Sequence, residues 1–382
     1  MPRLEMDSST IYAAPTSVWV ACGEEEIHRC PAGMPLSSPQ GFLMASPPGP
    51  YTCVRSVGHR STAMLRFHLD RLWESAEATG LGPAARAEGR ESLERRATET
   101  IARVMESFWE GECKAQIYGV CLENGCPECM ATVLFACGGS IEDTGKVLEG
   151  GNRPEGEEGD QDTRPLHIVA HAWPLPVPAR KGGDSRVQVL VAGSGRSLPR
   201  AKHSSWLRDR KPLDELKAQA GAQEVLLSEA ENSPEGSSRR LLLEGLTSNF
   251  FVVEEDGAVC TAPSGVLCGA VRQLVISACE HQGIPVRLEA PDMTRASRWR
   301  EAFLTGTGRI LAPVTALLVP EDGQADDTTK PLGSTIITVE LPDLKTEGDA
   351  RGTIREDRAP SVARAIRSIL DAELAQTATR LF

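Results

Sequence analysis

A chain of 382 residues with 40% hydrophobic and 25% charged content is long enough for two domains and for a sizeable buried core. Its 53 acidic residues outnumber 41 basic ones, giving a formal net charge of -12 with no compensating basic stripe, which disfavours a nucleic-acid or anionic-membrane partner. No apolar run approaches the roughly 20 residues that a spanning helix needs. The N-terminus, MPRLEMDSSTIYAAP, lacks a signal-like apolar core. The expected location is cytoplasmic, with an organelle address left open.

The eleven cysteines form no even framework, so reduced thiols are expected and a disulfide scaffold is not. The densest group is Cys113, Cys121, Cys126, Cys129 and Cys137, and it contains one C-x-x-C. A zinc site would want a second close pair or a histidine pair at ligand spacing, and none follows, so no metal site is assigned.

In chain order, residues 1–45 are Pro/Ser-rich with little periodicity and are expected to wrap the surface. PYTCVRS, 50–56, predicts a strand. Phe67, Leu69, Leu72, Trp73 and Ala76 recur at helical spacing over 66–80, and Ile101, Val104, Met105 and Phe108 do so over 92–109. Strands are predicted over 115–122, 131–136 and 167–173. Between the last two, a polar, glycine-rich stretch near 140–165 predicts a disordered, solvated insertion. PLPVPARKGG, 174–183, reads as a connector between an N-terminal domain, 1–173, and a C-terminal domain, 184–382. Beyond it the sequence predicts strands at 187–192, 225–227, 241–243, 250–253 and 301–304. Helices are predicted over 204–219, from Gly269 onward and near 360–376. A polar excursion is predicted over 320–352. The fold class is α+β in two halves, with no internal repeat.

Chemistry concentrates in LLLEGLTSNFFVV, 241–253, where a leucine strand delivers Glu244 to the lip of an apolar layer. A carboxylate between Leu243 and Leu246 is costly to desolvate without a cationic partner, unless it turns to water. VLCGAVRQLV then opens a helix at Gly269, where the N–H groups of Ala270 and Val271 and the helix dipole favour an anion. FLTGTGRILAPV ends a strand in the hydroxyl- and glycine-rich loop 305–308, another phosphate contact. Upstream, HLDRL presents Arg71 on an amphipathic helix, and PRAKHSSW presents Lys202 after a strand and a glycine-containing turn.

The order PYTCVR, HLDRLWESA, a lysine after a strand, LLLEGLTSNFFVV, GVLCGAVRQLV and EAFLTGTGRILAPV resembles the fold-type IV (class IV) pyridoxal-phosphate enzymes over roughly 50–316. These are the branched-chain and D-amino-acid aminotransferases and the aminodeoxychorismate lyases. AKHSSWLRDRKPL is similar to the plant-type aminotransferase-like branch. The resemblance implies a two-domain fold of the D-amino-acid aminotransferase type, pyridoxal 5'-phosphate as cofactor and, by family habit, a homodimer.

Residue by residue, the resemblance makes Lys202 the Schiff-base lysine in the C-terminal domain. A free lysine titrates at about 10.4, so the chemistry needs a site that favours the neutral amine. Lys211 and Lys217 compete, but read as solvated-face residues. Glu244 corresponds to the carboxylate that keeps the pyridine nitrogen protonated. Arg71, the backbones of Ala270 and Val271, and Thr307 correspond to the phosphate contacts. Leu267 corresponds to the apolar residue against the ring, with a plain core role open. Asn249 reads as a turn former. Tyr51 falls at an active-site tyrosine position. Arg55, on the same strand face, is a candidate anchor for the substrate carboxylate, with a structural ion pair as the alternative.

Two departures stand out: His203-Ser204-Ser205-Trp206-Leu207 carries no phenol after the lysine, and Ala270-Val271 lacks the usual hydroxyl. The leading expectation is a transaminase acting on an amino acid and a 2-oxo acid. The alternatives are a lyase of the aminodeoxychorismate type and a degenerate binding scaffold regulated through Cys126 and Cys129.

Overall fold

The structure, a computed structural model, describes residues 17–22, 26–31, 38–58, 60–114, 128–137, 166–175, 187–232, 238–321, 335–341 and 361–381. These fall into two compact units. One takes the described residues up to 184 together with 201–207 and 377–381, and the other takes those in 185–200 and 208–376. The predicted strand 115–122, the C-x-x-C partner Cys126, the insertion near 140–165 and most of the 174–183 connector lie outside the described residues.

In the first unit the elements are β1 (Ser17–Cys22), β2 (Glu26–Pro31), α1 (Pro39–Ala45), β3 (Tyr51–Arg55), β4 (Ser61–Thr62), α2 (Leu65–Glu77), α3 (Gly82–Glu88), α4 (Arg90–Lys114), β5 (Cys129–Cys137) and β6 (Leu166–Pro174). Five of the strands form an antiparallel sheet in the order β2-β1-β6-β5-β3. The stretch 1–45, expected to wrap the surface with little periodicity, contains regular structure: β1, β2 and α1 all lie within it. β1 earns its place by pairing with β6, a partner far along the chain that local periodicity does not reveal.

Alternation along β3 sorts its side chains. Val54 joins Leu69, Leu72, Ile101, Phe108 and Ile168 in one buried cluster with α2 and α4, while Tyr51 joins Phe42, Leu134 and Leu207 in another. Each of the large apolar side chains in such a cluster contributes about 1.5–3 kcal/mol by burial. α2 and α4 are therefore held by their apolar stripes, and the polar residues of α2 that face β3 are fixed along with them.

The second unit contains β7 (Val187–Val191), the helical turn α5 (Trp206–Asp209) that begins in the first unit, α6 (Lys211–Gln219), β8 (Glu224–Asn232), β9 (Ser238–Gly245), β10 (Asn249–Glu254), β11 (Val259–Thr261), α7 (Ala270–His281), β12 (Val286–Leu288), β13 (Trp299–Gly306), β14 (Ile310–Pro320), β15 (Ile336–Glu340) and α8 (Val362–Gln376). The helix predicted over 204–219 is broken at Arg210, and Pro212 falls in the first turn of α6, where its missing N–H costs nothing. Among the described residues of the polar excursion at 320–352 is a strand, β15, paired with β14.

The sheet runs β12-β11-β10-β13-β14-β7-β8-β9, and β9 also meets β10 through the single pair Glu244–Asn249. Six strands, β10, β13, β14, β7, β8 and β9, thus close into a ring. Closure removes the unpaired edges that an open sheet would leave on these strands. Val189, Leu226, Leu242, Phe250, Val252 and Leu304 share one buried cluster of this unit. The bridge that completes the ring is made by the residues that the sequence singles out chemically.

Candidate active site

Within the first unit, the segment 201–207 lies against β3. Tyr51 N donates to Lys202 O at 2.8 Å, Ser204 N donates to Gly49 O at 2.9 Å, and Pro50 bridges His203. Gly49 N donates in return to Ser204 Oγ at 3.0 Å. From the other side, Lys202 N donates to Ser75 Oγ of α2 at 3.0 Å. The Lys202 backbone is therefore clamped between a strand and a helix, and its Nζ lies 4.6 Å from the centroid of the Tyr51 ring. Strand pairing to β3 explains why Lys202 sits with the first unit although the sequence reading places it in the C-terminal domain.

On α2, His68, Arg71 and Ser75 are all buried. Arg71 Nη2 donates to Thr52 Oγ1 of β3 at 2.9 Å, and Phe67 lies under the guanidinium at 5.4 Å. The structure thus gathers Lys202, Tyr51 and Arg71 into one unit. Arg55 is half-buried two residues beyond Cys53 on the Tyr51 face of β3.

In the second unit, Glu244 is the penultimate residue of β9 and is only 3% exposed. Its Oε2 accepts from Leu267 N at 2.9 Å and lies 3.4 Å from Asn249 Nδ2. Asn249 Nδ2 also donates to Leu267 O at 2.8 Å, so one amide ties the ring-closing bridge to the loop before α7. Leu267 is half-buried and serves Glu244 through its backbone. Ala270 and Val271 are the first residues of α7, and its cap, Gly269, offers no side-chain bond to the first turn. Thr307 lies half-buried in the turn between β13 and β14, next to Ile310, which holds a left-handed φ of 59°. For a β-branched residue that conformation is strained.

Three features escaped the sequence reading. Arg196 places Nη1 3.5 Å from Glu244 Oε1 with both side chains nearly buried, so the carboxylate already has a cation within the protein. Arg272, whose Nη2 donates to Ala262 O at 2.8 Å, also acts on Glu244 electrostatically; burial holds its pKa below the ordinary value, with Cys268 and Glu244 opposing. Buried Glu224 accepts from Thr247 Oγ1 at 2.7 Å and Ser248 Oγ at 3.1 Å, which fixes the turn after Glu244. Arg210 Nη1 reaches Leu246 O of that turn at 3.3 Å. The only sequence signal for this bracing is the paired hydroxyls of GLTSN.

Gly269 is required by space rather than by φ: a Cβ there would stand 2.1 Å from Asn249 Oδ1. Gly269→Ala is expected to push the Asn249 amide off Leu267 O and Glu244, costing about 2–3 kcal/mol for the buried bonds lost. Denaturant unfolding against wild type measures this. Cys129 is buried, and burial pushes its thiol far above the ordinary range, which leaves it unreactive. That argues against redox control through the Cys126/Cys129 pair.

An α+β chain in two units, one a closed strand ring bearing a buried carboxylate and a bare helix N-terminus, has the architecture of the fold-type IV enzymes. Residues 147–317 match the family model described as amino-transferase class IV. Similar solved structures include a branched-chain aminotransferase from Thermoproteus uzoniensis with norvaline (16% identity, 96% of this chain, 99% of that one, TM-score 0.58). A hypothetical aminotransferase from Mycobacterium tuberculosis in its PLP-bound form is similar at 16% identity (94% and 99%, TM-score 0.56). The branched-chain amino acid aminotransferase from Escherichia coli is similar at 15% identity (96% and 99%, TM-score 0.55). At this identity the structures show the shared fold. No curated protein sequence matches the chain. Among the described residues no helix is long and apolar enough to cross a membrane.

Proposed function

We propose that the protein is a pyridoxal-phosphate-dependent transaminase that moves an amino group from an amino acid to a 2-oxo acid, and that it works as a homodimer. The observation that carries this reading is Glu244. A carboxylate 3% exposed accepts a backbone N–H on one oxygen and lies beside a guanidinium on the other, and both contacts favour the charged form that burial disfavours. That is the group a protonated pyridine nitrogen requires.

Each unit holds groups that suit the cofactor: the first an amine and a buried guanidinium, the second a buried carboxylate and a helix N-terminus without a side-chain cap. When bound, pyridoxal 5'-phosphate supplies a carbonyl that condenses with the donor's amine and a ring that accepts electrons from its α-carbon. Lys202 Nζ would hold the cofactor at rest and then carry the proton between the donor's α-carbon and the adjoining cofactor carbon. Tyr51, whose ring lies under Nζ, limits where that amine can swing. Glu244 would hold the proton on the pyridine nitrogen. Arg71, the N–H groups of Ala270 and Val271, and Thr307 would bind the phosphate. Arg55 would meet the donor's carboxylate.

A panel of L- and D-amino acids tests the activity, with loss of the cofactor's visible absorbance as readout. At least one donor is expected to discharge the band with formation of its 2-oxo acid, and a 2-oxo acid acceptor is expected to restore it. Purified protein that neither carries nor takes up the cofactor would overturn the reading. Multiple-turnover release of pyruvate from aminodeoxychorismate without any acceptor would assign cleavage in place of transfer. Light scattering checks the dimer.

A further inference from the structure

His68 is 2% exposed on α2, and its Nδ1 lies 2.9 Å from Thr52 Oγ1 and 3.3 Å from Arg71 Nη2. The direction of every bond in this cluster follows from the chemistry of its members. A guanidinium has N–H donors and no acceptor, so Arg71 Nη2 donates to Thr52 Oγ1 and towards His68 Nδ1. Thr52 Oγ1, with Arg71 already at a lone pair, has its single proton to give, and His68 Nδ1 is in reach. Nδ1 thus faces two donors and carries no proton. His68 is the neutral tautomer protonated on Nε2.

We propose that His68 and Thr52 are positioning residues that fix the Arg71 guanidinium for the phosphate of the cofactor. Both orient it through acceptors that bear no charge of their own, so these contacts do not neutralise it as a carboxylate would. Phe67 supports the same guanidinium with an uncharged ring face. The inference rests on the reading of Arg71 as a phosphate ligand and adds the residues that make it one.

The charged groups acting on His68 are Arg71 from its own helix and Lys202 from the segment 201–207, and both oppose protonation, as does Thr52 by occupying Nδ1 as a donor. Burial is the largest cause, followed by Arg71 and then Lys202, and together these hold the histidine well below its ordinary value of 6.5. The unfolded chain takes up this proton near pH 6.5 and the folded chain does not. His68 therefore adds no pH dependence above that value, and stability falls as the pH drops below it towards the folded pKa. A protonated His68 would present a donor to two donors and release Arg71.

Apo-protein titrated with pyridoxal 5'-phosphate and with phosphate-free pyridoxal tests the assignment. His68→Leu and Thr52→Val are each expected to weaken the phosphorylated compound about 10- to 100-fold while leaving pyridoxal unchanged. His68→Asn, which keeps an acceptor near the Nδ1 position, is expected to restore most of that loss. His68→Leu added to Arg71→Met is expected to cost nothing further. Equal losses for both compounds, or none, would overturn the proposal, and Thr52→Val carries the same test if His68→Leu does not fold. Wild type that binds neither compound would instead overturn the cofactor reading on which it rests.

Discussion

Lys202→Ala will lose the visible absorbance of lysine-bound cofactor and at least about four orders of magnitude of amino-transfer rate, while remaining folded. The argument for retained folding is local. The contacts that fix this residue use its backbone, N–H to Ser75 Oγ and C=O to Tyr51 N, and alanine keeps both. What leaves is an amine over an aromatic ring, a contact of about 0.5–1 kcal/mol at a half-buried position. A melting temperature near wild type with a missing absorbance band would therefore assign the loss to chemistry. Lys202→Arg places a guanidinium near Tyr51 in place of a primary amine, and is expected to be equally inactive. A small primary amine added to Lys202→Ala is expected to recover part of the turnover. If the band persisted in Lys202→Ala, another lysine would hold the cofactor. The sequence competitors fare worse in the structure: Lys211 is exposed, and Lys217 is bound to Asp214 at 2.7 Å on the same helix.

The chemistry-bearing stretches were legible because each is local. LLLEGLTSNFFVV announces a strand, a turn and a strand, and β9 and β10 are those strands, with Glu244 and Asn249 at their facing ends. Gly269 before an apolar periodicity of 3.6 announces α7. What stayed hidden depends on partners distant in sequence. Ser204 meets Gly49 across 155 positions, and Ser75 meets Lys202 across 127. Arg196 lies in the Gly/Ser/Pro-containing stretch after β7, and its place beside Glu244 depends on a residue of β9 distant in sequence. β1 and β2 were hidden for the same reason: two short strands without a helix-like or alternating apolar run become a sheet only once β6 is there to pair.

The two units solve the same problem by different means. Glu244 is held by a strand bridge, a side-chain amide and a buried arginine, so its position depends on the integrity of the ring. Lys202 lies in no regular element and borrows rigidity from β3 and α2. A reactive amine must move while its Cα stays put, and a backbone clamp on a side chain left half-exposed meets both needs.

That clamp makes Gly49 the most sensitive small residue of the first unit. A Cβ on it would stand 1.8 Å from the carbonyl oxygen of Phe135 and 3.0 Å from its carbonyl carbon. The obstacle is backbone, and it is pinned: Phe135 N donates to Pro50 O at 2.9 Å, and Tyr51 pairs with Leu134 in the adjoining register. Gly49→Ala must therefore displace the chain at 49–50, and with it the bonds from Gly49 to Ser204 that seat Lys202. The expected cost is about 3 kcal/mol or more, read as a lower urea midpoint, together with a reduced share of protein carrying the cofactor. Two comparisons isolate the cause. Ser204→Ala removes only the acceptor of Gly49 N and is expected to cost about 1–2 kcal/mol. Gly58→Ala, at a φ of 62° with open space around it, is expected to cost about 1 kcal/mol of backbone strain and to leave cofactor uptake intact. If Gly49→Ala matched Gly58→Ala in both stability and cofactor uptake, the seat of Lys202 would not depend on the close approach of Gly49 to β5.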